Sequence, residues 1–163
     1  GRSLADKKRG VYMFFNEKIA QFHILASSAE EVIEIAANEL YQRGVVKKNF
    51  LENVLKRENE FPTGLNTGKY CVAIPHTDSD YVNRSQIEFV SLKEPVYFKN
   101  MANNDEKIPV TLVFMIAMSA PHEQAETLTK LMEMFSDQVL MKELDECDNI
   151  ETFKNILQRK NIK

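Results

Sequence analysis

A chain of 163 residues with 44% apolar and 28% charged residues is long enough to bury one core and has the balance of an ordinary globular protein, which excludes disordered and fibrous classes. Its formal net charge is -3 and its Lys and Arg residues are scattered apart from Lys7-Lys8-Arg9, which argues against a nucleic-acid partner. No apolar run reaches the roughly 18 residues that span a bilayer and the N-terminus lacks the order of a signal peptide, so the expected location is the cytoplasm.

The opening Gly1-Arg2-Ser3 has no initiator methionine, as in a cloned fragment, a processed chain or a domain cut from something longer. Residues 1 to 10 are expected to form a mobile tail or a cloning remnant, and residues 11 to 163 one compact domain. Phe22 to Ala26 reads as a short strand. Ser28-Ala29-Glu30-Glu31 is a capping-box pattern that leads into Val32, Ile35, Ala36 and Leu40 at helical spacing and stops at Gly44. A second helix runs from about Lys48, with Phe50, Leu51, Val54 and Leu55 on one face, to Arg57-Glu58. Pro62-Thr63-Gly64 then reads as a loop.

Four more strand candidates follow, at Tyr70 to Ile74, Ile87 to Leu92, Val96 to Phe98 and Val110 to Met118. Pro121 opens a helix in which Ala125, Leu128, Leu131, Met132 and Phe135 repeat at three and four residues. Shorter helices are expected at Val139 to Leu144 and Ile150 to Leu157. Interleaved helices and strands predict an α/β fold: a single-domain sandwich of a mixed, roughly five-stranded sheet covered by helices.

Tyr70-Cys71-Val72-Ala73-Ile74-Pro75-His76 is the segment that points to chemistry, because an apolar strand runs through a proline into an imidazole. Proline fixes its own φ and biases Ile74 toward extended backbone, so His76 sits on a rigid strand end. Ends of strands are where open α/β sheets bind ligands, and an imidazole titrating near 6.5 is largely a neutral nucleophile at pH 7. Local sequence alone leaves His76 open between a functional and a structural role. His23, flanked by Phe22 and Ile24, reads as structural or surface; His122, at the start of the Pro121 helix, reads as a surface residue or, neutral, as a neighbour of a bound anion.

Cys71 and His76 lie five residues apart on an extended run, which sends their side chains to opposite faces and argues against a thiol-imidazole pair. Cys71 and Cys147 support neither a disulfide framework nor a structural zinc site. His76, Asp78 and Asp80 alternate at a spacing that suits metal ligands, but Asp78 to Asn83 is explained more cheaply as turn chemistry, so no metal is expected. Arg57 is either a cation complementing the helix end or a guanidinium fork for a phosphoryl group on His76. The methionines are mostly core filler, with Met101 in a polar loop open to a docking role.

The run Arg57-Glu58-Asn59-Glu60-Phe61-Pro62-Thr63-Gly64, the segment Val72-Ala73-Ile74-Pro75-His76, and the Val110 to Met118 strand with Pro121-His122 together resemble the IIA domain of the sugar phosphotransferase system, mannitol/fructose type. The Gly44-Val45-Val46 turn and Glu60-Phe61-Pro62-Thr63-Gly64 are most similar to galactitol-type IIA components. The resemblance runs from about Phe15 to the C-terminus and implies the mannitol/fructose-type IIA fold and a phosphoryl carrier without cofactor. His76 matches the histidine that takes a phosphoryl group from the carrier HPr and passes it to a cysteine of the IIB component, the membrane IIC component being met only indirectly. His122 matches a second active-site histidine of the mannitol branch and Arg57 an arginine beside the phosphoryl group. Glu58, Thr63 and Thr77 are expected to support the site, Thr63 or Thr77 by donating hydrogen bonds; Thr77 stands where the family commonly has glycine. IIA-like domains also end transcriptional regulators, which is the alternative role.

Overall fold

The structure is a computed structural model that describes residues 11–163; the expectation for residues 1 to 10 lies outside them. Five strands form one mixed sheet: β1 (Ala20–Ile24), β2 (Gly64–Asn66), β3 (Cys71–Ala73), β4 (Gln86–Asn100) and β5 (Asn103–Ala117). β1 lies parallel to β4, β4 pairs antiparallel with β5, and β3 runs parallel to β5 on its other edge. β2 is antiparallel to β3 and meets β4 at Gly64 opposite Asn100.

Side chains alternate between the two faces of these strands, and each face carries its own core. Val72, Ile74, Phe89, Phe114 and Ile116 pack with α3 (Pro121–Phe135), α4 (Gln138–Glu146) and α5 (Ile150–Arg159). Ala73, Val90, Val113 and Met115 pack with α1 (Ala29–Gln42) and α2 (Phe50–Glu60). The sheet is thus sandwiched between helices, as expected.

Local chemistry explains most boundaries. Ser28 caps α1 by accepting from the Glu31 amide at 3.1 Å, and Gly44, at φ +73°, lets the chain turn left-handed where the helix stops. The Val139 to Leu144 expectation becomes a helix capped by Asp137, and the last helix is capped by Asn149.

Four strand expectations change. β1 starts two residues earlier than expected. Gly64 opens a strand instead of lying in a loop, because a Cβ there would stand 2.5 Å from the Lys99 carbonyl oxygen, and only glycine admits that approach. The strands expected at Ile87 to Leu92 and Val96 to Phe98 are one strand: Lys93-Glu94-Pro95, a turn signal, sits at an irregularity in register between Ser91 and Val96. β5 begins at Asn103, seven residues before the apolar run, because its polar start is the outer half of a hairpin with β4.

The first and last described segments also meet: Val11 bridges Ile162 in parallel, the Met13 amide donates to the Lys163 carbonyl at 2.7 Å, and the Lys163 amide donates to Val11 at 2.8 Å.

Candidate functional site

β3 and β5 run parallel, and their C-terminal ends define one end of the sheet. The Ile116 amide donates to the Pro75 carbonyl at 3.1 Å, which carries the pairing past β3 and delivers His76 beside Ile116 and Ala117. His76 is 8% exposed. Its Nδ1 lies 2.7 Å from the Ile74 carbonyl oxygen, which can only accept, so Nδ1 carries the proton and Nε2 the lone pair. Nε2 has no hydrogen-bond partner and is not among the fully buried unpaired atoms, so it is open to an incoming group. Burial holds the imidazole below its ordinary pKa and the Arg57 charge pushes the same way, while the Ile74 bond and Asp78 oppose them. The outcome is a neutral nucleophile with its reactive nitrogen facing out.

Arg57 comes from the last turn of α2, on the opposite layer from α3. Its guanidinium stacks over Phe61, 5.2 Å from the ring centroid, and has no hydrogen bond or ion pair. The structure thus brings Arg57 into electrostatic range of His76 with its donors uncommitted.

Glu58 and Thr63 form the link between these two. Thr63 Oγ1 donates to Glu58 Oε1 at 2.6 Å, and the Thr63 amide reaches the same oxygen at 3.3 Å. The Ile74 amide donates to Thr63 Oγ1 at 3.2 Å. The chain Glu58, Thr63, Ile74, His76 therefore connects the end of α2 to the imidazole. The Ile74 N–H and C=O belong to different peptide units, so this connection fixes position and does not relay polarisation. Thr63 spends its only hydroxyl proton on Glu58, which leaves it no proton to give a phosphoryl oxygen, contrary to the expectation for that side chain. Burial pushes the Glu58 carboxyl up to about 7 against the two Thr63 bonds, and its Oε2 is buried without a partner. Thr77 is buried next to His76 and its hydroxyl is uncommitted.

His122 is exposed in the first turn of α3 and has no hydrogen bond or ion pair. The inward face of that helix is set by Thr127, Leu131, Met134 and Phe135; Ala125 and Met132, expected inside, are exposed. Gln124 lies on the inward stripe, half-buried, with its Oε1 buried and unpartnered. Sequence reading passed over it because a glutamine has no apolar signal, although its spacing of three and seven from Thr127 and Leu131 marks the stripe.

The other sequence candidates are accounted for. His23 Nε2 is 2.9 Å from the Asp145 carbonyl, a structural tie at the β1 irregularity. Asp78 precedes a short 3-10 turn and Asp80 lies within it, both exposed, and among the described residues no three His, Cys, Asp or Glu side chains converge as a metal site would require. No helix among the described residues is long and apolar enough to cross a membrane.

Several known proteins are similar to this chain. The family model for the phosphoenolpyruvate-dependent sugar phosphotransferase system, EIIA 2, matches residues 13–160. The galactitol-specific EIIA component of Escherichia coli K12 is 31% identical over 98 residues, covering 60% of this chain and 65% of that protein; the match thus spans less than two thirds of the curated relative. The transcriptional regulator ManR of Bacillus subtilis is 31% identical over 134 residues, 80% of this chain and 18% of the regulator. Among solved structures, the complex of enzyme IIA and phosphorylated enzyme IIB for mannitol from Escherichia coli shares the fold, with a TM-score of 0.69 at 24% identity over 86% of this chain and 94% of that one.

Proposed function

Because the chain belongs to the EIIA 2 family of the phosphoenolpyruvate-dependent sugar phosphotransferase system, we propose that His76 is its phosphoryl acceptor and that the protein carries phosphate from phospho-HPr to a cysteine of a IIB component in the cytoplasm. The observation that supports this most directly is the Nδ1 bond to Ile74, which leaves Nε2 as an open lone pair on a neutral ring beside an unpaired guanidinium.

In the first transfer the P–N bond of the donor phosphohistidine breaks as the His76 Nε2–P bond forms. In the second, a thiolate sulfur takes the phosphoryl group and Nε2 recovers its lone pair. Such transfer asks for in-line positioning and neutralisation of the equatorial oxygens, which this reading assigns to Arg57 and the Thr77 hydroxyl. Glu58 and Thr63 act one step back, by holding Ile74. The galactitol-specific relative makes a hexitol the favoured sugar of the system, a sugar this domain itself has no need to touch.

The test incubates the protein with phosphoenolpyruvate, enzyme I and HPr and looks for an acid-labile mass increase of one phosphoryl group. Labelling is expected in the parent and absent in His76→Ala; labelling that persists in His76→Ala overturns the assignment. Likeness to ManR supports a second reading, a regulatory domain whose phosphorylation signals sugar flux. A coding sequence that continues into a nucleic-acid-binding domain would favour it, and one that stops beside a IIB gene would favour the carrier.

A further inference from the structure

We infer that Gln124, rather than His122, is the α3 side chain that meets the phosphoryl group on His76, through an amide N–H donated to one of its oxygens. This rests on the reading of His76 as phosphoryl carrier. His76 stands where β3 runs out beside Ile116 and Ala117. β5 ends there too, and α3 turns back across the same end of the sheet, with Thr127 Oγ1 3.3 Å from Met118 Sδ.

The inner stripe of α3 reads Gln124, Thr127, Leu131, Phe135. Leu131 and Phe135 share a core cluster with Val72 and Ile74, the residues that lead into His76, and with Met118. Gln124 stands one turn nearer the helix start than Thr127, so the stripe continues past Met118 toward the sheet end that holds His76. At about 100° per residue, His122 is turned some 200° from Gln124. That rotation accounts for the exposure of the histidine and the half-burial of the glutamine.

Gln124 Oε1 is buried with no hydrogen-bond partner, an unusual state for a buried carbonyl oxygen, and its Nε2 makes no hydrogen bond. A half-turn about its last torsion exchanges the oxygen for an NH2 aimed the same way. Glu123 holds the helix start in place: its Oε1 accepts from Ser85 Oγ at 2.6 Å, and the Ser119 amide donates to the same serine at 2.9 Å. The amide is therefore presented on a fixed helix end, unpaired, on the stripe that runs toward the buried histidine whose Nε2 has no partner.

The experiment phosphorylates the parent, Gln124→Glu, Gln124→His and His122→Ala with phosphoenolpyruvate, enzyme I and HPr, and reads the labelling rate and the 31P shift of the phosphohistidine. Glutamate keeps the shape of the side chain but has no donor, so Gln124→Glu is expected to label about tenfold or more slowly, with a displaced 31P resonance. Gln124→His, which restores an N–H, recovers most of the rate. Parent-like rate and 31P shift in Gln124→Glu overturn the inference, as does a loss confined to His122→Ala. A parent that takes no label at His76 overturns the carrier reading itself, an outcome distinct from either.

Discussion

Glu58 and Thr63 hold one another twice, through the threonine hydroxyl and its amide, on a single carboxylate oxygen. The second oxygen is buried and unpaired, so the carboxyl is desolvated on one side and anchored on the other. Its proton affinity then becomes part of the folding equilibrium. A carboxyl raised from 4.5 to about 7 binds more protons folded than unfolded, so it favours the native state at low pH and that contribution is lost as pH rises from 4.5 through 7.

The expected difference is on the order of 3 kcal/mol, at about 1.4 kcal/mol for each tenfold change in proton affinity. Denaturant titrations of the parent and Glu58→Gln between pH 5 and 8 measure it: the stability gap should move in favour of the variant with rising pH. Glu88, buried and also raised well above its ordinary range, adds a slope of the same sign to both proteins and cancels in the comparison. A gap that is flat with pH refutes the Glu58 assignment.

Thr63→Val removes the hydroxyl that donates to Glu58 and accepts from Ile74, keeps the amide donor, and preserves shape. It should cost about 1 to 3 kcal/mol, the range for stranding a buried polar partner. Thr63→Ser should stay close to the parent. Nitrogen chemical shifts of the His76 ring report the second effect, a loosened preference for the Nδ1–H tautomer in Thr63→Val only.

Arg57 acts by charge and by geometry, and two substitutions separate them. Arg57→Ala should slow labelling by about tenfold to a hundredfold, the worth of one charge-assisted hydrogen bond, and should raise the His76 pKa slightly, burial still holding it below its ordinary value. Arg57→Lys should keep the charge's small share of the pKa depression but restore only part of the rate, because an ammonium lacks the planar fork. NMR titration of His76 beside transfer kinetics gives both numbers; a lysine variant that matches the parent rate would reduce Arg57 to a point charge.

Gly64→Ala forces a methyl group against the Lys99 carbonyl and should destabilise by about 1 to 3 kcal/mol, as overpacking does. Thermal melting checks this. The strain falls on the start of β2, which Thr63 directly precedes, so transfer should weaken together with stability.

The parts of this molecule that were legible in sequence are those with a strong local signature. The strand end that carries His76 was announced by an apolar run and a proline in succession, the helix end that carries Arg57 by the Pro62-Thr63-Gly64 stretch that follows it, and α1 by its serine cap and terminal glycine. β2 was hidden because three residues that include glycine lack alternation, and its reason for being a strand lies in Lys99, thirty-five residues away. The lower half of β5 was hidden because Asn103 to Lys107 pair with β4 in solvent and need no apolar face. The inward face of α3 was misplaced because Met132 is outside and Thr127 inside, an inversion that polarity alone does not foresee.

The pairing of Val11 with Ile162 has a consequence for how such a unit is used. The two ends of the described chain leave the body side by side, so any sequence joined before it and any sequence joined after it emerge from one small patch. A domain with adjoining ends behaves as a tab that can be spliced into a longer polypeptide as an insert, adding length without separating what lies on either side.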